Sequence, residues 1–339
     1  MKKIVTICCI LFCFGCSKKP VELNNIYTEF SSFPETKTLE FISVSDSIMG
    51  EPSEMLFYKD NLIMKMYSKN NEKLITLFSL KNNKETKYVI NRGAGPNEFL
   101  DCIICMMGDN LWLYDIGKQR LGKIQYDSLL VESYSSIEYY KMKNRLYRYV
   151  MLNDSICIGS NNFHSDKKLT YINIKTGEEK HQGEYAYLDK NIPLAGLIDA
   201  SSCYIGINPK NKNIVLSYRY TDMVEIYDSE GNLKHALFGP EGFDLDFRPY
   251  EHGMLKTPNT RKAFVTSYTT EKAIYILYSG RKREEGWAHG SEIYVYSWDG
   301  KPLRKYLLEE RIYTFAVDEK NQLFYIFSLE TDKLVKAKM

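Results

Sequence analysis

Excess charge of either sign is missing from this chain. Its 339 residues carry 45 basic and 43 acidic side chains, and setting aside a leader that holds Lys2 and Lys3 leaves 43 of each. A nucleic-acid partner is therefore not expected, because such binding needs a clear basic surplus on one domain. Long apolar runs are missing too. The longest, IVTICCILFCF from Ile4, has 11 residues, against roughly 20 for a spanning helix. No G-x-S-x-G, H-E-x-x-H or C-x-x-C-H occurs, and the G-A-G-P from Gly93 lacks the Gly-Lys-Ser/Thr of a phosphate loop. The chain thus shows no complete catalytic motif and no cofactor signature. The five histidines, 164, 181, 235, 252 and 289, are too scattered to define a metal site. Cysteine is scarce in the folded part, where only Cys102, Cys105, Cys157 and Cys203 remain. Cys102 and Cys105 form a C-x-x-C, yet in the strand-like run DCIICMM residues three apart project from opposite faces. They read as two small core hydrophobes rather than a chelating or redox pair.

What is present begins with MKK, the short apolar run, then Gly15 and Cys16, the layout of a secretory leader. A small residue directly before a cysteine, followed by SKKP, resembles the lipobox of bacterial lipoproteins, with Cys13 where that motif usually has leucine. The resemblance implies that residues 1–15 are removed, that Cys16 is lipidated, and that the membrane is met through this anchor alone. Residues 16–36 are expected to be the lipidated cysteine and a tether, and 37–339 a single domain.

Six short turns, each followed at once by an apolar strand-like run, recur through that domain: KDNLIMKMY, GDNLWLYD, NDSICIGS, NKNIVLSYRY, TEKAIYILYS and EKNQLFYIFS. Their first aliphatic residues, Leu62, Leu111, Ile156, Ile214, Ile274 and Leu323, are spaced 49, 45, 58, 60 and 49 apart. A period near fifty of strand signal alone predicts an all-β, six-bladed β-propeller with four strands per blade. In the second repeat CIICMM, LWLYD, RLGKIQYD and SLLVESY read as successive strands. The KMKNRLYRY stretch from Lys141 reads as the solvent face of a strand. The last repeat stops at Met339 one strand short, and TKTLEFISV from Thr36 is expected to supply that strand and close the ring.

Residues 92–127 resemble an NHL repeat, through Gly93, Gly95, Pro96, Glu98 and Phe99 in a Gly-rich joint, then Tyr114, Asp115 and Arg120. FGPEGFDLDF from Phe238 echoes the joint loosely. Inside an exported chain, the R-G-x-G-P-x-E-F loop looks like the TolB-like six-bladed propeller lipoproteins of Gram-negative gut bacteria. That resemblance implies an envelope location, with the lysines after Cys16 favouring an outer-membrane lipoprotein that faces the periplasm. Read from the residues themselves, the joint is a blade-to-blade connection, and Asp115 and Arg120 are expected to bind each other across their hairpin.

Blade-to-blade loops and second-to-third-strand loops of a propeller share one face, where function concentrates. On this chain that face gathers Arg92, Arg120, Arg219, Arg248, His252, Arg281, Arg283, Trp287 and His289 as candidate binding residues. Trp287, in the loop GRKREEGWAHGSE, suggests either a platform for a protein or a sugar ring or a ring folded back to cap the blade edge. The expected role is a binding or scaffolding module for a protein or glycan of the cell envelope. Two alternatives are a metal-dependent hydrolase or lactonase at the channel mouth and a sensing subunit of an outer-membrane uptake system. Gluconolactonase-like propellers hold a metal with Glu, Asn and Asp, which would make Asp199, Asn208 and Asp222 the candidates here.

Overall fold

A computed structural model describes residues 27–339 apart from 47, 49, 68–71, 82–85, 132–136, 163, 186–192, 244–247 and 251. Cys16, the leader and residues 17–26 lie outside the described residues. Six antiparallel meander sheets form the ring. Blade 1 is Pro52–Tyr58, Asn61–Met66, Lys73–Ser79 and Thr86–Asn91, from the channel outward. Blade 2 is Ile103–Met107, Asn110–Asp115, Arg120–Gln125 and Glu138–Lys141. Blade 3 is Arg148–Met151, Ile156–Ser160, Leu169–Asn173 and Glu179–Gln182. Blades 4 and 5 begin with Cys203–Ile207 and Arg261–Thr269 and end with Leu233–Phe238 and Pro302–Ile312. The predicted six-bladed all-β propeller is thus the fold, and all six aliphatic residues used to set the period fall in second strands.

Strand alternation explains why each blade needs two neighbours. Successive side chains point to opposite sheet faces, and both faces here are apolar. Leu62 and Met64 pack towards blade 6, with Tyr325 and Leu334, whereas Ile63 and Leu77 pack towards blade 2, with Leu111 and Ile124. The same division puts Cys102 between blades 1 and 2 and Cys105 among residues between blades 2 and 3, on opposite faces as expected. Every adjacent pair of blades shares one such apolar layer. Between blades 3 and 4 the layer also holds an ion pair. Lys168 donates to Glu225 at 2.6 and 2.7 Å, and the hydroxyls of Tyr218 and Tyr227 donate to the same carboxylate at 2.7 Å. With both charged groups buried, removing one partner would strand the other, typically a loss of about 3–5 kcal/mol.

Ring closure departs from the sequence reading in its boundaries. Blade 6 is Phe315–Asp318, Leu323–Ser328 and Lys333–Lys338, completed by Ile42–Ser45, with Val335 opposite Ser43. The N-terminal strand does close the last blade. Thr36–Thr38, however, pairs in parallel with Pro302–Ile312 at the rim of blade 5. Tyr27–Glu29, expected to be tether, pairs in parallel with Leu233–Phe238 at the rim of blade 4. Aromatic anchors hold this strap. The Phe33 ring lies 4.7 Å from Tyr294 and 5.5 Å from Tyr296, and Phe30 lies 6.0 Å from Tyr296. Gly239 is required where the strap passes, since a Cβ there would overlap the Phe30 carbonyl oxygen.

Blade 2 corrects a second expectation. SLLVESY is not its outer strand: Tyr126–Leu130 is a short helix, and Glu138–Lys141 takes the edge. Tyr126 and Leu129, three apart, bury one helical face, with Tyr126 edge-on to Tyr58 at 4.9 Å. That spacing suits a helical turn and defeats strand alternation.

Phe33 is 8% exposed, so Phe33→Ala should destabilise the domain by about 3–5 kcal/mol. Urea denaturation checks this, and an unchanged midpoint would return residues 27–35 to the role of tether.

Candidate functional site

The six inner strands enclose a channel of about 730 Å³, with Glu54, Asp101, Arg148, Tyr204 and Tyr313 among the residues lining it. Inner strands start at the face that carries the blade-to-blade joints, so the residues at their beginnings form the channel mouth. Arg148 opens the inner strand of blade 3, Tyr204 lies near the start of that of blade 4, and Lys262 near that of blade 5. Arg219 follows the second strand of blade 4, and its carbonyl accepts a bond from Ala263 N–H at 2.8 Å.

Three cations therefore meet at one side of the mouth. The Arg148 guanidinium sits 5.1 Å from the centre of the Tyr147 ring and 5.3 Å from that of Tyr204. Arg219 is 5.4 Å from Tyr147 and 5.4 Å from Tyr220, so Tyr147 is shared between the two arginines. Lys262 is 7% exposed. Burial, then the charges of Arg219 and Arg148, push its ammonium down to about 7. Among the described residues none of the three cationic groups has a hydrogen-bonded or ion-paired carboxylate. The Arg219 Nε is sealed from solvent without an acceptor. Glu54 is the carboxylate whose charge Arg148 feels, and it accepts a bond from Ile104 N–H at 3.0 Å. The other mouth acids are engaged: Asp101 pairs with Lys65 at 3.0 Å and Asp199 with Lys256 at 2.7 Å.

The candidate binding residues divide into three groups. Arg92 and Arg120 brace the joint between blades 1 and 2. Arg92 donates to the Leu100 carbonyl at 3.3 Å, and Arg120 to the Pro96 carbonyl at 2.7 Å and to that of Glu98. Lys118 adds bonds to the Gly95 and Glu98 carbonyls at 2.9 and 2.6 Å, and Arg120 also lies over Phe99 and Tyr139. Asp115 and Arg120 face each other in register but do not bind as expected, because both turn to the joint. The Asp115 carboxylate accepts from Leu100 N–H at 2.9 Å and Lys118 N–H at 3.0 Å. Loop carbonyls and amides that need hydrogen-bond partners draw both side chains away from the hairpin pair. Gly93 is needed there, as a Cβ would overlap the Glu98 carboxylate.

Arg281 and Arg283 brace a second loop, donating to the Glu285 carbonyl at 2.9 Å and the Lys256 carbonyl at 2.8 Å. Trp287 is not an exposed platform. It is half-buried against Ala200, Tyr220 and Met254, with its ring 5.8 Å from that of Tyr220. Arg248 and His252 lie exposed on the same face, where the His252 ring meets Tyr250 edge-on at 6.4 Å. The third group is the mouth itself, where Arg219 is joined by His289. His289 lies 3.9 Å from Glu51 and 5.8 Å from the Tyr313 ring, and burial, then Arg311 and Lys262, lower its pKa.

The metal candidates do not come together. Asn208 lies in the turn between the first two strands of blade 4, at the opposite end from the mouth, where its oxygen caps Lys210 and Asn211 N–H. Asp199 takes Met254 N–H and Lys256. Asp222 accepts from Glu241 and Gly242 N–H at 2.9 and 2.8 Å, and burial pushes its carboxyl up to about 6. Asp222 thus clamps the joint after blade 4 as Asp115 clamps that after blade 1. Among the described residues no group of three metal-ligating side chains forms. Burial likewise pushes the Cys105 thiol up to about 11, away from thiolate chemistry.

Sequence reasoning missed Arg148 and Lys262. KMKNRLYRY was read as solvent-facing, yet Met142, Leu146 and Tyr149 are buried and Arg148 lines the channel. A basic residue within the first two positions of an inner strand, in RYVM and in RKAF, is the signal that could have found both.

The family model for TolB-like six-bladed propellers matches residues 31–320. The chain belongs to the TolB-like propeller family. Among solved structures, a Bacteroides fragilis protein described as exported is 12% identical, with a TM-score of 0.57 over 92% of this chain and 98% of that one. A DUF4221-family member from Bacteroides vulgatus is 10% identical, with a TM-score of 0.53 over 89% of this chain and 98% of that one. At such identities the likeness is one of fold. A comparison with curated proteins found no match.

The depressed Lys262 ammonium makes stability depend on pH. Unfolded, Lys262 keeps its proton up to about 10.5; folded, it loses it near 7. Between these values the unfolded state binds more protons, so stability rises with pH across that window. Lys262→Met should therefore stabilise the domain by a few kcal/mol at pH 6, with the gain fading towards pH 10. Melting curves of both proteins from pH 6 to 10 check this; a constant offset would contradict it.

Proposed function

We propose that this chain is an exported, lipid-anchored binding module that receives a protein or glycan of the cell envelope at the mouth of its propeller channel. The observation that carries this reading is the cluster of Arg148, Arg219 and Lys262. Three cations lie partly or wholly withdrawn from water beside a cavity in the size range of ligand pockets, and no carboxylate pairs with any of them among the described residues. Desolvated charge without a partner costs folding energy, and a ligand that supplies the partner recovers it. Neighbouring loops on this face are braced by Arg92, Arg120, Arg281 and Arg283, which holds the surroundings of the mouth in place and lowers the cost of binding. The leader, Gly15-Cys16 and the likeness to an exported Bacteroides protein support the envelope location. The metal-dependent hydrolase reading loses support because Asp199, Asn208 and Asp222 are dispersed and individually engaged.

Two experiments test this. A photo-crosslinking residue in place of Tyr204, in the full-length protein in native envelopes, should give an adduct that the same residue at Asp154 does not. Asp154 lies in a turn on the opposite face. Equal labelling from the two positions would take the site away from the mouth. Cys16→Ser should release the protein from membranes; persistence in carbonate-washed membranes would remove the lipid anchor.

A further inference from the structure

We infer that the channel mouth is a carboxylate site for a small ring-bearing acid, with Arg148 and Arg219 as the charged clamp and Lys262 beside them. The inference rests on the location proposed above and names its ligand chemistry. Each guanidinium presents N–H donors in a planar fork that matches a carboxylate, and the Arg219 Nε is buried with no acceptor. Charge is lopsided there: against Arg148, Arg219 and Lys262 stand Glu54, whose charge acts on Arg148, and Asp199, whose charge reaches Arg219 while it pairs with Lys256; Asp101 is paired with Lys65. In a site withdrawn from water, an arriving carboxylate is stabilised far more than it would be at an open surface.

The remainder of the cavity describes what is attached to that carboxylate. Tyr67, Tyr204 and Tyr313 line the channel, offering aromatic faces to flat or saturated ring surfaces. A volume of about 730 Å³ admits one or two six-membered rings and excludes a folded domain. Tyr147 and Tyr204, already stacked on the guanidinium groups, hold the forks in place. The shared chemistry is therefore a carboxylate on a six-membered ring, which a uronic acid or an aromatic acid would both supply.

Calorimetry with the purified full-length protein tests this using glucuronate and benzoate as probes, glucose as the neutral ring, and inorganic phosphate as the ringless anion. We expect at least one ring carboxylate to bind tenfold or more tightly than both controls. Which of the two does so identifies the source as sugar or aromatic. Arg148→Met and Arg219→Met should each weaken that binding tenfold or more, with Arg219→Met carrying the reading should the Arg148 variant fail to melt cooperatively. Phosphate binding as tightly as the ring acids, or affinity unchanged in both arginine variants, would overturn the inference. So would no detectable binding of either acid. In that last case a mouth-specific crosslink at Tyr204 would leave the binding face standing, with an acidic protein segment as its occupant and the small-acid inference alone removed.

Discussion

Each blade of this protein is apolar on both faces, and from that constraint the rest of the molecule follows. A sheet with two greasy sides has no stable solution except between two neighbours, and six of them satisfy one another only if the last meets the first. The Leu62 layer therefore has to find Tyr325 and Leu334, residues more than 250 positions away. Closing so long a loop costs entropy, and the outer strand Ile42–Ser45, paired with the C-terminal hairpin, fixes the join by backbone hydrogen bonds. Once the ring is shut, the inner strands lie around a common axis, and whatever stands at their first positions is gathered whether or not it is close in sequence.

That gathering explains what could be read in advance and what could not. The period of turn-plus-aliphatic segments was legible because the turn between first and second strands has demanding chemistry: Asn153, Asn208 and Asp318 each cap backbone N–H groups there. The joint loop at Gly93 was legible for the same reason. The strap was not, because Phe30 and Phe33 follow no strand period and the flanking Tyr27–Glu29 and Thr36–Thr38 pair in parallel with strands some 200 or more residues away. The mouth was hidden further still. Arg148, Arg219 and Lys262 come from three blades, and each alone looks like an ordinary polar residue at a strand end.

Arginine plays two opposite parts on this face, and side-chain partners tell them apart. Arg92, Arg120, Arg281 and Arg283 donate to backbone carbonyls of their own or a neighbouring loop, so their charge stiffens the scaffold. Arg148 and Arg219 instead meet tyrosine rings, which soften the cost of an isolated charge without consuming N–H donors. A census of arginine by type alone mixes the two kinds; sorting by acceptor separates structural cations from those still able to receive a ligand.

The direction of the strap sets a geometry for the whole molecule. Tyr27–Glu29 runs parallel to Leu233–Phe238, a strand that climbs from the far side of the ring towards the mouth, so the chain approaches blade 4 from the side remote from the channel opening. For an anchor at Cys16, the residues up to Tyr27 can span at most about 40 Å when fully extended. The far side of the ring would then lie nearer the lipid and its cationic mouth would turn outward.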